Sequence, residues 1–364
     1  MTQTKVTSDL ITSVDASKLT GSLPASMSEI TKSTSEPAAT TNPSGGVGTV
    51  YLRTTTGEMY CCTDATTNAN VWTNIGDGTG SQPFTGMVGT GGTITTSGDY
   101  KIHTFNSSGT FEVTTVGQIG TVDYLVVAGG GSGGFSYGGG GGSGGLVYKA
   151  DSTVTATTYA VVIGAGAASN IVSASAGNVG NDTTFAYSGT ITAKGGGGGG
   201  QEYTDASSGG SGGGSGHEAA GNGSGTQTSE SGDSGTYGFG NNGGVGIAGP
   251  NWNPGGGGGA GSVGATGNST KSGNGGAGKD YSSIFGTSVG DSGWFASGGG
   301  GGATSDGSTV AGTASSGGGT DGSGSSDHSL AGQANTGGAS GGGYNGKGAR
   351  AGGSGVVIIR YKFQ

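Results

Sequence analysis

Val122-Asp123-Tyr124-Leu125-Val126-Val127-Ala128-Gly129-Gly130-Gly131 is the stretch on which the fold turns. Its β-branched, aromatic and aliphatic residues lack the 3.6-residue spacing of an amphipathic helix, so they spell a buried strand. The strand then runs straight into glycine. On its N-terminal side, residues 100–105 and 110–114 alternate apolar and polar side chains around Asn106-Ser107-Ser108-Gly109, a hairpin signal. Further strands are predicted at 146–149, 158–163 and 183–187, and the chain closes on a second apolar run, Ser354-Gly355-Val356-Val357-Ile358-Ile359-Arg360-Tyr361. No stretch carries a helical apolar period, so almost no helix is expected.

Glycine supplies 94 of 364 residues, against an ordinary share of roughly 7%. Collagen is excluded, because there are only 6 prolines and no strict glycine at every third place. Disorder is disfavoured by the low charged content, 10%, and by the strands that interrupt the glycine. The runs cluster at 195–200, 209–216, 221–225, 243–246, 255–261, 298–302, 317–319 and 337–343. Without a Cβ, extended helices of three residues per turn can approach until their backbones touch and hydrogen-bond. Glycine loses the most freedom on ordering, so near-complete pairing of backbone groups is required. The expected fold is all-β with an irregular glycine-rich region. It combines a small N-terminal β meander with a glycine-rich β-sandwich and polyglycine II-type bundle.

Hydrophobic residues make up 29% of the chain, too few for one large core, which points to local cores and subunit association. The net charge of −9 and the 13 scattered Lys and Arg speak against nucleic-acid binding. No apolar leader and no membrane-spanning stretch is read. Cys61 and Cys62 are adjacent, and a vicinal disulfide is strained, so free thiols are expected.

Three segments follow from composition. Residues 1–44, rich in Thr and Ser, read as either a disordered tail or an arm that orders against partner chains, with Leu10, Ile11, Val14, Leu19 and Leu23 as its few apolar residues. Residues 45–80 read as three short strands at 48–53, 59–62 and 71–76, with Trp72 as a core or interface anchor. Residues 81–364 form the glycine-rich domain. Between its glycine runs lie most of its bulky side chains: Tyr203, Tyr237, Phe239, Trp252, Tyr281, Phe285, Trp294, Phe295 and Tyr344. Aromatic turns on a rigid scaffold suit binding to sugar rings or protein loops, since few rotors are frozen. The competing reading is that they cap and pack the ends of the scaffold. Trp252, between Pro250 and Pro254, is the first choice for exposure.

Chemical constellations are sparse. GxGxxG arises by chance at this glycine density. Gly273 to Lys279 and Gly341 to Lys347 resemble phosphate loops, but Asp280 and Gly348 stand where a metal-binding hydroxyl is needed. His103, His217 and His328 lack metal-ligand spacing, and His103 is expected to face solvent or a hairpin neighbour. Glu202, Asp205, Glu218 and Asp233 are the carboxylates that could pair for glycoside hydrolysis, but a thin slab offers little concavity. The expectation is a protein without catalysis, cofactor or metal.

Ordered motifs give a resemblance. Phe105-Asn-Ser-Ser-Gly-Thr-Phe111, the run 122–131, Tyr159-Ala-Val-Val-Ile-Gly164 and the terminal SGVVIIRY resemble, in that order, the glycine-rich domain of phage tail fibres and related surface proteins, over about residues 90–364. SDLIT and DASKLTGSLPA near the start resemble a phrase of phage fibre and appendage proteins, and TTTGEMY with VWTNIG resembles their small repeated modules. The alternation of glycine motifs and aromatic segments also resembles adhesins of T-even-like phages. The resemblance implies a homotrimeric tail-fibre subunit, made in the host cytoplasm and carried on the virion. Its N-terminal arm would hold other virion proteins, and its aromatic turns would meet a bacterial surface glycan or outer-membrane protein. A capsid fibre or decoration protein is the alternative, and a polysaccharide-cleaving spike a third reading.

Overall fold

The computed structural model describes residues 30–76, 85–171, 175–218, 221–227, 238–249, 252–304, 309–325 and 327–364. The chain divides into residues 1–84 and 85–364. Leu10, Ile11, Val14, Leu19, Leu23, Asp233 and Tyr237 lie outside the described residues.

The N-terminal unit is a four-stranded sheet in the order β1 (Ile30–Ser33), β2 (Val50–Arg53), β3 (Met59–Asp64), β4 (Val71–Gly76). The last three strands form the expected meander. β1 was read as part of the arm, since a lone Ile in a Thr/Ser-rich stretch gives no strand signal; it pairs in parallel with β2. The folded unit therefore takes in residues assigned above to the arm. One face of the sheet carries Tyr51, Tyr60 and Trp72, with ring centroids 6.4 and 5.5 Å from Tyr51 in edge-to-face geometry. Trp72 is half-buried and donates its indole N–H to the Thr41 carbonyl at 3.2 Å, so it anchors the loop crossing that face. Cys61 and Cys62 are free thiols.

Two antiparallel sheets organise residues 85–364. The first runs β14 (Gly238–Phe239), β10 (Leu146–Thr153), β9 (Thr121–Val127), β17 (Val356–Lys362), β7 (Tyr100–Phe105), β6 (Thr93–Ser97). The second runs β13 (Ile191–Ala193), β12 (Thr183–Phe185), β11 (Thr158–Val162), β8 (Gly109–Thr115), β5 (Val88–Thr90). The C-terminal β17 sits between β7 and β9, so the last strand closes the centre of the sheet. Tyr124 and Val126 of β9 point into the core shared with Phe111, Phe185 and Val357. Leu125 and Val127 point the other way, into a second cluster with Leu146, Ile358, Phe285 and Phe295. Both faces of β9 and β17 are covered, which accounts for their unbroken apolar sequences.

The strands flanking 106–109 lie in different sheets, so the hairpin read there does not form. His103 faces no solvent; it meets Phe111, on the far flank of that turn, edge-on at 5.1 Å. It is fully buried, with Nδ1–H donating to the Gly91 carbonyl at 2.7 Å and Nε2 accepting from the Tyr361 hydroxyl at 3.2 Å. Burial pushes its pKa below the ordinary histidine value. Alternation in β7 placed it correctly in a strand, but the second sheet covers the face it occupies.

Beyond the sheets the glycine runs pack side by side. The run 138–145 donates from residues 138, 141 and 144 to carbonyls of 343, 340 and 337; from 139, 142 and 145 to 200, 197 and 194; and from 140 and 143 to 255 and 258. Its own carbonyls accept from residues 128–134, 211–214 and 299–302. Donors that rotate to a new neighbour at each residue and return at every third define a three-residue-per-turn helix, surrounded by six others. This is a polyglycine II-type bundle, held by backbone rather than by side chains. A Cβ on Gly140 would overlap the Gly299 carbonyl, so nothing larger than glycine fits there. The only helix among the described residues is the single turn α1 (Ser282–Phe285).

Candidate functional site

The turns of the bundle fall into two sets. Residues 238–239 and the ribbon of β15 (Lys279–Asp280) and β16 (Trp294–Phe295) lie at the near end, against the first sheet. Residues 136–137, 201–204, 217–218, 249, 252 and 344–347 lie at the far end.

The near-end aromatics are packing residues. Phe295 is fully buried and Tyr281 nearly so, packed with Phe285 and Tyr148 over the sheet. Burial pushes the Tyr281 hydroxyl well above the ordinary phenol value. Phe239 is half-buried beneath the Lys279 ammonium, 3.8 Å from its ring centroid. Trp294 is half-buried and pairs with Asp280 across the ribbon. The expectation of display thus fails for Tyr281 and Phe295, because their turn folds back onto an apolar sheet face that needs covering. Lys194, also at the near end, bonds the Asp182 carboxylate at 3.3 Å.

The far end is different. Tyr203 is 69% exposed and Trp252 41% exposed. Gln201 and Thr204 exchange backbone hydrogen bonds of 3.0 and 2.9 Å, so Glu202 and Tyr203 occupy the tip of a tight turn. The Glu218 N–H bonds the Glu202 carbonyl at 3.1 Å, which fixes the two glutamates side by side. Trp252 takes a left-handed conformation, φ 39°, and its N–H donates to the Gly249 carbonyl at 3.2 Å. Tyr137, φ 54°, closes the turn between the first two glycine runs. Tyr344 is half-buried on the neighbouring far-end turn, whose Gly346 N–H meets the Ser136 hydroxyl at 3.1 Å.

These turns converge on His217, which is 1% exposed. Trp252 stacks on its ring at 5.2 Å, and Tyr137 meets it edge-on at 5.1 Å. Tyr203 lies 6.1 Å away. Neither ring nitrogen has a hydrogen-bond partner among the described residues. Nε2 stands 3.7 Å from Glu202 Oε1 and 3.8 Å from Glu218 Oε1, beyond hydrogen-bond reach. Burial lowers the His217 pKa and outweighs the two carboxylates that raise it, so the ring is neutral near pH 7. The carboxylate of Glu202 pushes the neighbouring Tyr203 phenol above its ordinary value.

Of the residues singled out in the sequence, the structure unites Tyr203, Trp252, Glu202 and Glu218. It places among them His217, noted in the sequence only as lacking metal-ligand spacing, and adds Tyr137. Asp205 instead accepts from the Gly221 N–H, at 2.9 Å, and supports the same turn. A recognisable signal for His217 is its place directly after the run 211–216: a bulky polar group at the mouth of a glycine bundle has only end-turn neighbours. No group of three or more His, Cys, Asp and Glu suited to a metal occurs among the described residues.

A sandwich that carries a rigid glycine bundle, with a cluster of rings and acids on its free end, defines a scaffold of the glycine-rich domain class. Residues 104–362 match the glycine-rich domain family, and the chain belongs to it. No curated protein sequence matches the chain.

Proposed function

We propose that the protein is a non-enzymatic phage tail-fibre subunit that attaches the virion to a bacterial surface through the far end of its glycine bundle. The observation that carries this reading is the exposure of Tyr203 and Trp252 beside two carboxylates, on a bundle whose backbone groups are internally paired. A rigid base removes the ordering cost that a flexible loop would add to binding. In this reading the N-terminal segment holds the other virion proteins and the chain associates as a homotrimer.

Adsorption competition tests the reading. Full-length protein added to host cells should reduce adsorption of particles that carry it, and a Tyr203→Ala/Trp252→Ala protein should compete poorly. Equal competition by that variant would sink the proposal. Immunogold labelling of intact particles should mark the tail. Label on the capsid would overturn the tail assignment in favour of a head fibre.

A further inference from the structure

The far-end cluster sets a buried, unpartnered imidazole beside two carboxylates and two exposed rings. A neutral imidazole has one N–H donor and one acceptor nitrogen, and at His217 neither has a partner among the described residues. Buried polar groups without partners are rare and call for an explanation. Glu202 and Glu218 add carboxylate acceptors whose side chains are 23% and 39% exposed. Among the described residues, neither pairs with a lysine or arginine. The cluster therefore needs a partner that both donates and accepts. A hydroxyl does both, whereas an anion only accepts and would meet two carboxylates.

The rings supply the complementary half. Trp252 and Tyr203 are exposed, while Trp252 is braced from behind by His217 and Tyr137. A braced aromatic face beside hydroxyl-seeking carboxylates matches a pyranose, which has an apolar C–H face and a rim of hydroxyls. From this geometry we infer that Trp252, Tyr203, Glu202, Glu218 and His217 form a binding site for an uncharged pyranose at the end of a surface glycan. The rings take its C–H face, and the carboxylates accept hydrogen bonds from its hydroxyls. This rests on the adhesin reading above and gives it a ligand class: neutral sugar rather than anionic saccharide.

The test uses full-length protein and saturation-transfer NMR with methyl glucoside, galactoside, mannoside and N-acetylglucosaminide, with sialyllactose as the anionic probe. At least one neutral pyranoside should bind, and sialyllactose should not. Trp252→Ala and Glu202→Gln should each weaken that binding by about tenfold or more. The Glu202 variant sits on an exposed turn and keeps the packing around His217. No binding by any neutral pyranoside, unchanged binding by the Glu202 variant, or equal binding of sialyllactose would overturn the inference. Cell adhesion separates the two claims. Protein that adheres to host cells but is not displaced by the bound pyranoside removes the sugar site and keeps the adhesin. Protein that binds the pyranoside but not the cells supports the sugar site and removes the adhesin.

Discussion

Replacing Gly140 by alanine is the sharpest test of a bundle held by backbone contacts. Gly140 donates to the Gly255 carbonyl at 3.1 Å and accepts from the Gly214 N–H at 2.8 Å. The added methyl would overlap the Gly299 carbonyl and approach the Gly257 nitrogen. Relief requires two glycine helices to move apart, and no flexible side chain is present to yield. Overpacking of a tight interior costs about 1–3 kcal/mol, and each buried backbone bond lost adds about 1–3 kcal/mol. With two bonds at stake the loss is about 3–9 kcal/mol, a large part of an ordinary folding stability. Gly324→Ala is the control, since it is exposed and its Cβ would meet only the Ala311 methyl at 3.7 Å. It should leave stability unchanged or raise it by a few tenths of a kcal/mol. Differential scanning calorimetry of the full-length protein measures both, in the transition of residues 85–364. A Gly140→Ala protein within about 0.5 kcal/mol of the parent would refute backbone contact as the source of cohesion.

Three further outcomes are expected. Phe295→Ala empties a fully buried site and should cost about 3–5 kcal/mol in calorimetry, yet leave pyranoside affinity unchanged, the reverse of Glu202→Gln. Stability should fall as pH drops below about 6.5. Burial holds His103 and His217 below their unfolded value, so the unfolded chain binds protons that the folded chain refuses. Each ring contributes at most about 1.4 kcal/mol per pH unit; denaturant titrations near pH 7.5 and 5.5 should show the loss, smaller in His217→Gln, and a flat profile would contradict the burial. Cys61 is half-buried, whereas Cys62 is fully buried with its thiol pushed up by that burial. A chromogenic disulfide reagent should titrate Cys61 in the native protein and Cys62 only in denaturant.

Much of the fold was legible because its signals are local. The apolar runs at 122–128 and 356–361 announce strands covered on both faces, and they are β9 and β17. The polyglycine bundle followed from a negative fact, the absence of side chains with which to build any other core. Less visible was what depends on partners distant in sequence. The central place of β17, the strand at Ile30–Ser33 and the burial of His103 are each set by a neighbour that local pattern does not specify.

The site divides along the same line. Aromatic turns between glycine runs look alike in sequence, whether they fall at the near or the far end, because both ends need a reversal of the chain. What separates them is the apolar face of the first sheet, which claims Tyr281, Phe285 and Phe295 for packing. The far end has no such face, so its rings cover one another and a single imidazole. Glu202 and Glu218 were visible as carboxylates that could pair, but sequence gave them no shared partner. Each stands within a few residues of a glycine run's end, 195–200 for one and 209–216 for the other. Since adjacent runs donate from 197 and 200 to 211 and 214, their ends are held level. The ladder of the bundle thus carries through to its tip and sets both acids against His217: in this architecture the spacing of glycines fixes the placement of the polar groups beyond them.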